Sequence, residues 1–214
     1  MLRVGPPDVI TVTDGRGTVA RCAVIHAEGP SVVAEVIERE HRRPPLPRLV
    51  VYQGAAKGTK VDAVIQALAE LGVAELWAYS SERSVVRWEP AKVARLTERW
   101  RAIARAAAKQ ARNPHLLTAG GGLSFAELTR RVASEPFAVV LWEEASLPLR
   151  AVLVEGPERV ALVVGPEGGL TRGEAETLAA AGAQLASLGP FILRTEHAPL
   201  AAGAALLYHY GLLG

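Results

Sequence analysis

Two glycine-bearing segments in the last quarter of the chain carry the residue types that can hold a small ligand. The first is Gly165-Pro166-Glu167-Gly168-Gly169-Leu170-Thr171, which follows an apolar run and precedes a helical pattern. Glycine permits positive φ and lets backbone approach a ligand closely. In an open α/β sheet such a loop lies beyond the carboxyl ends of the strands, where ligands bind. A tight strand-to-helix turn would have the same composition. The segment is neither a G-x-G-x-x-G fingerprint nor a P-loop, because the glycine spacing and the Lys-Ser/Thr pair are missing. Its late position also argues against a Rossmann-type dehydrogenase or methyltransferase. The second segment is Leu188-Gly189-Pro190-Phe191-Ile192-Leu193-Arg194-Thr195-Glu196-His197-Ala198. At neighbouring strand ends the two loops would frame one pocket, with Arg194 and Glu196 supplying charge. Those two residues also read as a simple ion pair at a helix start.

These loops need elements to position them. Residues 1–43 read as β, with strands predicted at 9–13, 18–26 and 32–38 around turn residues Asp14-Gly15 and Gly17. Pro44, Pro45 and Pro47 make residues 44–47 a stiff connector. Residues 48–214 then alternate strands (49–53, 74–79, 137–142, 160–165, 184–188) with helices (59–71, 90–112, 124–133, 172–181, 199–212). Such alternation predicts an α/β fold, a mostly parallel sheet with helices on both faces. Thr171 and Glu174 have the spacing of a capping box, which would fix the helix after the first loop.

The formal net charge is only +2, but its placement is uneven. Residues 81–115 hold nine Lys or Arg against three Glu. At 100° per residue, Val93, Leu96, Trp100, Ile103, Ala104, Ala107 and Ala111 share one face of the 90–112 helix, and Arg101, Arg105, Lys109 and Arg112 share the other. A polyanion surface and a solvated helix face both fit that pattern. The single cysteine, Cys22, excludes an internal disulfide framework and reads as a small buried side chain. His26, His41, His115 and His209 have no metal-ligand spacing, so no metal is expected. No apolar run approaches the ~20 residues of a membrane span, and no signal-peptide pattern opens the chain, so the expectation is a soluble cytoplasmic protein.

G-P-E-G-G-L-T followed by L-G-x-x-I-L-R-T-E resembles the SPOUT-class methyltransferases, and within them the family that methylates uridine N3 in 16S ribosomal RNA (the RsmE family). Lys57 and Lys60, Glu70-Leu71-Gly72-Val73, Ser81-Glu82-Arg83-Ser84 and Ala107-Ala108-Lys109-Gln110-x-Arg112-x-x-Pro114 extend the resemblance over nearly the whole chain. It implies a C-terminal trefoil knot, a homodimer and an N-terminal PUA-like β-barrel that helps hold RNA. By the same resemblance, Gly165, Glu167, Gly168, Gly169, Leu188, Gly189, Ile192, Leu193 and Arg194 surround S-adenosyl-L-methionine. Arg83, Gln110 and Arg112 face the RNA near the methyl donor, joined by Arg101, Arg105 and Lys109 of the basic helix face. Catalysis would fall to Arg194, stabilising the uridine anion, and to Glu196 as base.

The chain departs from the family pattern in three places. The lead into the first strand is only Met1-Leu2-Arg3, so the barrel is expected to lack its first strand. Phe191 stands where the family carries arginine, and His197 where it carries a small residue. Two other functions share these motifs: a SPOUT enzyme acting on a different RNA, and a non-catalytic RNA-binding ribosome-assembly factor.

Overall fold

A computed structural model describes residues 4–214, so the expectation for Met1-Leu2-Arg3 lies outside the described residues. Strands β1 (Val9–Thr13), β2 (Thr18–Glu28) and β3 (Ser31–His41) form an antiparallel sheet in the order β1-β2-β3. The Asp14 carboxylate accepts the backbone N–H groups of Arg16 and Thr18 at 2.7 and 3.1 Å, which closes the first turn. Cys22 is buried in β2, as its type suggests.

The remaining strands are β4 (Arg48–Gly54), β5 (Glu75–Tyr79), β6 (Thr118–Leu123), β7 (Ala138–Leu141), β8 (Arg159–Val164) and β9 (Gln184–Ala186). They form one sheet, β6-β5-β4-β8-β7-β9, with every neighbouring pair parallel. The expected parallel sheet is present, and its pleat sorts side chains between two cores. Leu49 and Val51 of β4 face a core closed by α1 (Lys60–Glu70), α2 (Pro90–Ala111) and α6 (Ala198–His209). Val50 and Tyr52 face the other core, closed by α3 (Phe125–Ser134) and α5 (Arg172–Ala180). A single turn of helix, α4 (Leu149–Val152), sits beside β9.

Strand β6 is absent from the sequence expectations, because Thr118-Ala-Gly-Gly-Gly-Leu123 reads as turn material. The reason for those glycines is spatial. A Cβ on Gly120 would lie 2.3 Å from Trp77 and one on Gly121 2.8 Å from Trp100. Two indole rings occupy the space that side chains of β6 would need.

The two sheets meet through the Pro114 region. Gly17 N–H donates to the Pro114 carbonyl, Leu116 N–H donates to the Gly15 carbonyl, and Arg16 bridges His115. Helix α2 buries Trp100, Ala104, Ala107 and Ala108 and exposes Arg101, Arg105, Lys109 and Arg112. The burial face is therefore centred slightly beyond the expected one, with Ala111 exposed and Ala108 buried. Arg101 pairs with Glu98 at 2.7 Å.

Candidate active site at the carboxyl ends of the central strands

The two glycine-bearing loops converge at the carboxyl ends of β4 and β8, the central strands. A chain of hydrogen bonds ties them together. Gln53 Nε2, at the end of β4, donates to Thr195 Oγ1 at 2.8 Å, and the Thr195 hydroxyl donates to the Gly165 carbonyl at 2.6 Å. Gln53 is 1% exposed and its Oε1 has no partner among the described residues. A buried acceptor left open costs free energy unless something completes it, which marks the spot as one of interest. The approach of the backbones is close: a Cβ on Gly54 would lie 2.2 Å from the Pro166 nitrogen.

The first loop is held from both sides. Thr171 and Glu174 form the capping box that their spacing predicts. Glu174 is buried and does more than cap: its Oε1 accepts the Glu82 backbone N–H at 2.8 Å and so fixes the 81–84 turn against the loop. Arg83 Nη1 reaches the Gly168 carbonyl at 3.4 Å. A side chain at Gly168 would press on Arg83, and Gly169 holds φ +70. Beneath the loop, the Tyr79 hydroxyl donates to the Val164 carbonyl at 3.0 Å, and burial pushes that hydroxyl's pKa far up, so it stays a donor.

The charged residues form a compact group around Lys60. Its ammonium lies 3.3 Å from Glu167 Oε1 and 3.4 Å from Glu196 Oε2, while Lys57 N–H donates to Glu167 at 3.0 Å. Burial pushes both carboxyls up. For Glu167 the Lys57 and Glu167 amides and Lys60 outweigh it, and for Glu196 its own amide and Lys60 do, so both pKa values lie below the ordinary range. Groups with depressed folded pKa values contribute stability above the unfolded value and lose it as pH falls through the folded one. Melting curves should therefore show an acid-labile component that fades as pH falls below about 4. Lys60→Met should lower stability at pH 7 and shrink that component, so that the two proteins converge in acid. Parallel curves from pH 7 to 3 would refute the pairing.

The second loop contributes little to internal packing. Phe191 is 82% and Ile192 86% exposed, Leu193 is exposed, and Gly189 holds φ +114 in open space. The Arg194 side chain is exposed and makes no hydrogen bond or ion pair among the described residues, although its carbonyl accepts the His197 and Ala198 N–H groups. Leu188 is half-buried.

The fold thus brings Gly165, Glu167, Gly168, Gly169, Arg83 and Glu196 into one neighbourhood, with the 188–194 segment returning to it through Thr195. It does not bring Gln110 and Arg112 there. Arg112 is the left-handed cap of α2, and the next residue, Asn113, donates to the Ala69 carbonyl at the far end of α1. That end lies about 15 Å along the helix from Lys60. The sequence motifs do not mark Gln53 and Thr195 as site residues. The one signal for Gln53 is a polar residue in an otherwise apolar strand.

The matched family model is the RNA methyltransferase domain, over residues 42–207. The ribosomal RNA small subunit methyltransferase E of Mycobacterium bovis is 34% identical over 208 residues, covering 95% of this chain and 79% of that protein. The enzyme of the same name from Bacillus subtilis is 33% identical over 222 residues, covering 100% and 86%. Among solved structures, ribosomal RNA small subunit methyltransferase E from Neisseria gonorrhoeae bound to S-adenosyl methionine superposes with a TM-score of 0.84 at 27% identity, covering 97% of this chain and 86% of that one. With loops, sheet order and sequence in agreement along most of its length, the chain belongs to the RNA methyltransferase family and groups with the ribosomal RNA small subunit methyltransferases E.

Proposed function

We propose that this protein transfers a methyl group from S-adenosylmethionine to N3 of a uridine in small-subunit (16S) ribosomal RNA, working in the cytoplasm as a homodimer. The observation that carries this is the Gln53–Thr195–Gly165 tie, which sets two glycine-bearing loops against each other at the centre of a parallel sheet. The residues suit the cofactor. Gly189 holds a positive φ in open space, Gly168 is exposed, Gly165 and Gly169 let the first loop pack tightly against its neighbours, and Leu188, Ile192 and Leu193 offer apolar surface. When bound, S-adenosylmethionine supplies an electrophilic sulfonium methyl group.

The chain's own residues do the rest. Glu167, held by Lys57 and Lys60, stiffens the floor of the first loop. Glu196 is kept ionised by its own backbone N–H and by Lys60 and takes the proton from uridine N3. The Arg194 guanidinium, free of internal partners, stabilises the negative charge that then spreads to O2 and O4. Arg83 and the exposed Arg101, Arg105 and Lys109 contact RNA phosphates, and Gln110 and Arg112 extend that surface towards the N-terminal sheet. Residues 1–43 would serve as the PUA-like RNA-holding module and 48–214 as the catalytic domain, joined through 44–47.

A trefoil knot is supported by the path after β9. From that edge strand the chain returns across the sheet to Gly165, and α6 then packs on α1, β4 and β8. The exposed Phe191, Ile192, Leu200 and Tyr208 on the loop and α6 support a dimer face there. Among the described residues no helix is long and apolar enough to cross a membrane.

The test is methyl transfer from labelled S-adenosylmethionine to small ribosomal subunits lacking the modification, followed by nucleoside analysis. N3-methyluridine is the expected product. A different methylated nucleoside would point to another RNA target. RNA binding without methyl transfer would point to an assembly factor.

A further inference from the structure

Beside the loops, a cavity of about 200 Å³ opens between the start of α1, the 86–88 segment and the N-terminal half of α2. Its walls are Val61, Leu96, Trp88 and Trp100, and Lys57 and Lys92 stand at its mouth. It is smaller than the 300–1,000 Å³ typical of pockets for drug-sized ligands. Trp88 is half-buried and leans on Trp100 at 5.5 Å between ring centroids and 60° between planes. Asp62 adds no free negative charge, because the Trp100 indole N–H donates to it at 3.0 Å and Arg99 pairs with its other oxygen. Lys57, Lys92 and the nearby Arg87 are exposed, and none forms an ion pair among the described residues. The cavity also shares a residue with the candidate active site, since the Lys57 N–H is bonded to Glu167.

An apolar slot with an indole in its wall and unpaired cations at its rim matches one chemistry: a flat aromatic base on a phosphate backbone. We infer that this cavity is a stacking subsite for a nucleobase of the RNA substrate, one that neighbours the methylated nucleotide in space. The base lies against Trp88, and Lys57 and Lys92 meet the flanking phosphates. This rests on the RNA-methylating role proposed above and adds to it a residue outside both glycine-bearing loops that reads the substrate.

The probe is a fluorescently labelled ten-nucleotide oligouridylate, with affinity followed by anisotropy across a series of salt concentrations. Trp88→Leu should weaken binding by about five- to a hundredfold and leave the salt slope unchanged, because a stacked base releases no counterion. Trp88→Phe should keep most of the affinity. Lys57→Ala and Lys92→Ala should each flatten the slope by about 0.7, the value for one phosphate contact on a single strand. A folded Trp88→Leu protein that binds like wild type overturns the subsite. So do lysine variants with an unchanged slope, and these exposed positions decide the matter if Trp88→Leu fails to fold. Wild-type methyl transfer to small subunits alongside either result would sink the subsite alone. A wild type that neither binds RNA nor transfers methyl would sink the proposed function with it.

Discussion

Arg194→Ala is expected to lower kcat for RNA methylation by about a hundred- to a thousandfold, the usual loss when one donor to a developing anion is removed. Its folding stability should barely change. The side chain is exposed and makes no hydrogen bond or ion pair among the described residues, and the backbone carbonyl that starts the turn into α6 remains after truncation. Arg194→Lys should restore only part of the rate, because an ammonium is a point charge without the planar fork that can span two oxygens. The comparison needs single-turnover rates at saturating cofactor together with thermal melts of all three proteins. Wild-type turnover in the alanine variant would remove Arg194 from the mechanism. A large fall in Tm would instead make it a structural residue.

Gly54→Ala should cost about 3 kcal/mol or more of stability, at or beyond the upper end of ordinary overpacking. In a chain of this size that corresponds to a Tm fall of roughly 6–12 °C. The cause is the identity of the atoms in the way. An ideal Cβ at Gly54 sits 2.2 Å from the Pro166 nitrogen and 2.6 Å from the Gly165 carbonyl carbon. Those are backbone atoms just past the end of β8, so no side chain can swing aside. Relief requires parting β4 from β8 at the tie that joins the loops, and cofactor binding should fail along with stability. Gly203→Ala in α6 is the control. Its Cβ would meet only side chains at 3.6 Å or more, and helix propensity favours alanine there by roughly 0.5–1 kcal/mol. Equal melting temperatures for the two variants would refute the steric account.

How much of this was legible before the structure depends on the range of the interaction. The Thr171–Glu174 box, the amphipathic split of α2 and the alternation of strand and helix are set by neighbours within a few residues, and sequence periodicity reports them. Strand β6 was hidden because its glycines answer to Trp77 and Trp100, which are distant in sequence. Gln53 and Thr195 are 142 residues apart and show no pattern that links them. The Glu174 contact with the Glu82 amide was likewise hidden behind a capping role that already explained the residue. The family resemblance pointed to the loops but not to their fastening, and within one chain Gln110 and Arg112 stand at the C-terminal end of α2, apart from those loops.

The bond between Gln53 and Thr195 also sets an order in time. During synthesis Thr195 follows Gln53 by 142 residues and emerges after every strand of the parallel sheet, so the sheet can form before its ligand site exists. Closing so long a loop is entropically slow, and contacts of this separation are among the last that a chain makes. Competence to bind would therefore arrive abruptly, as the final event of folding. A nascent or clipped chain that stopped short of Thr195 would keep the six strands of the sheet and leave the two loops unfastened.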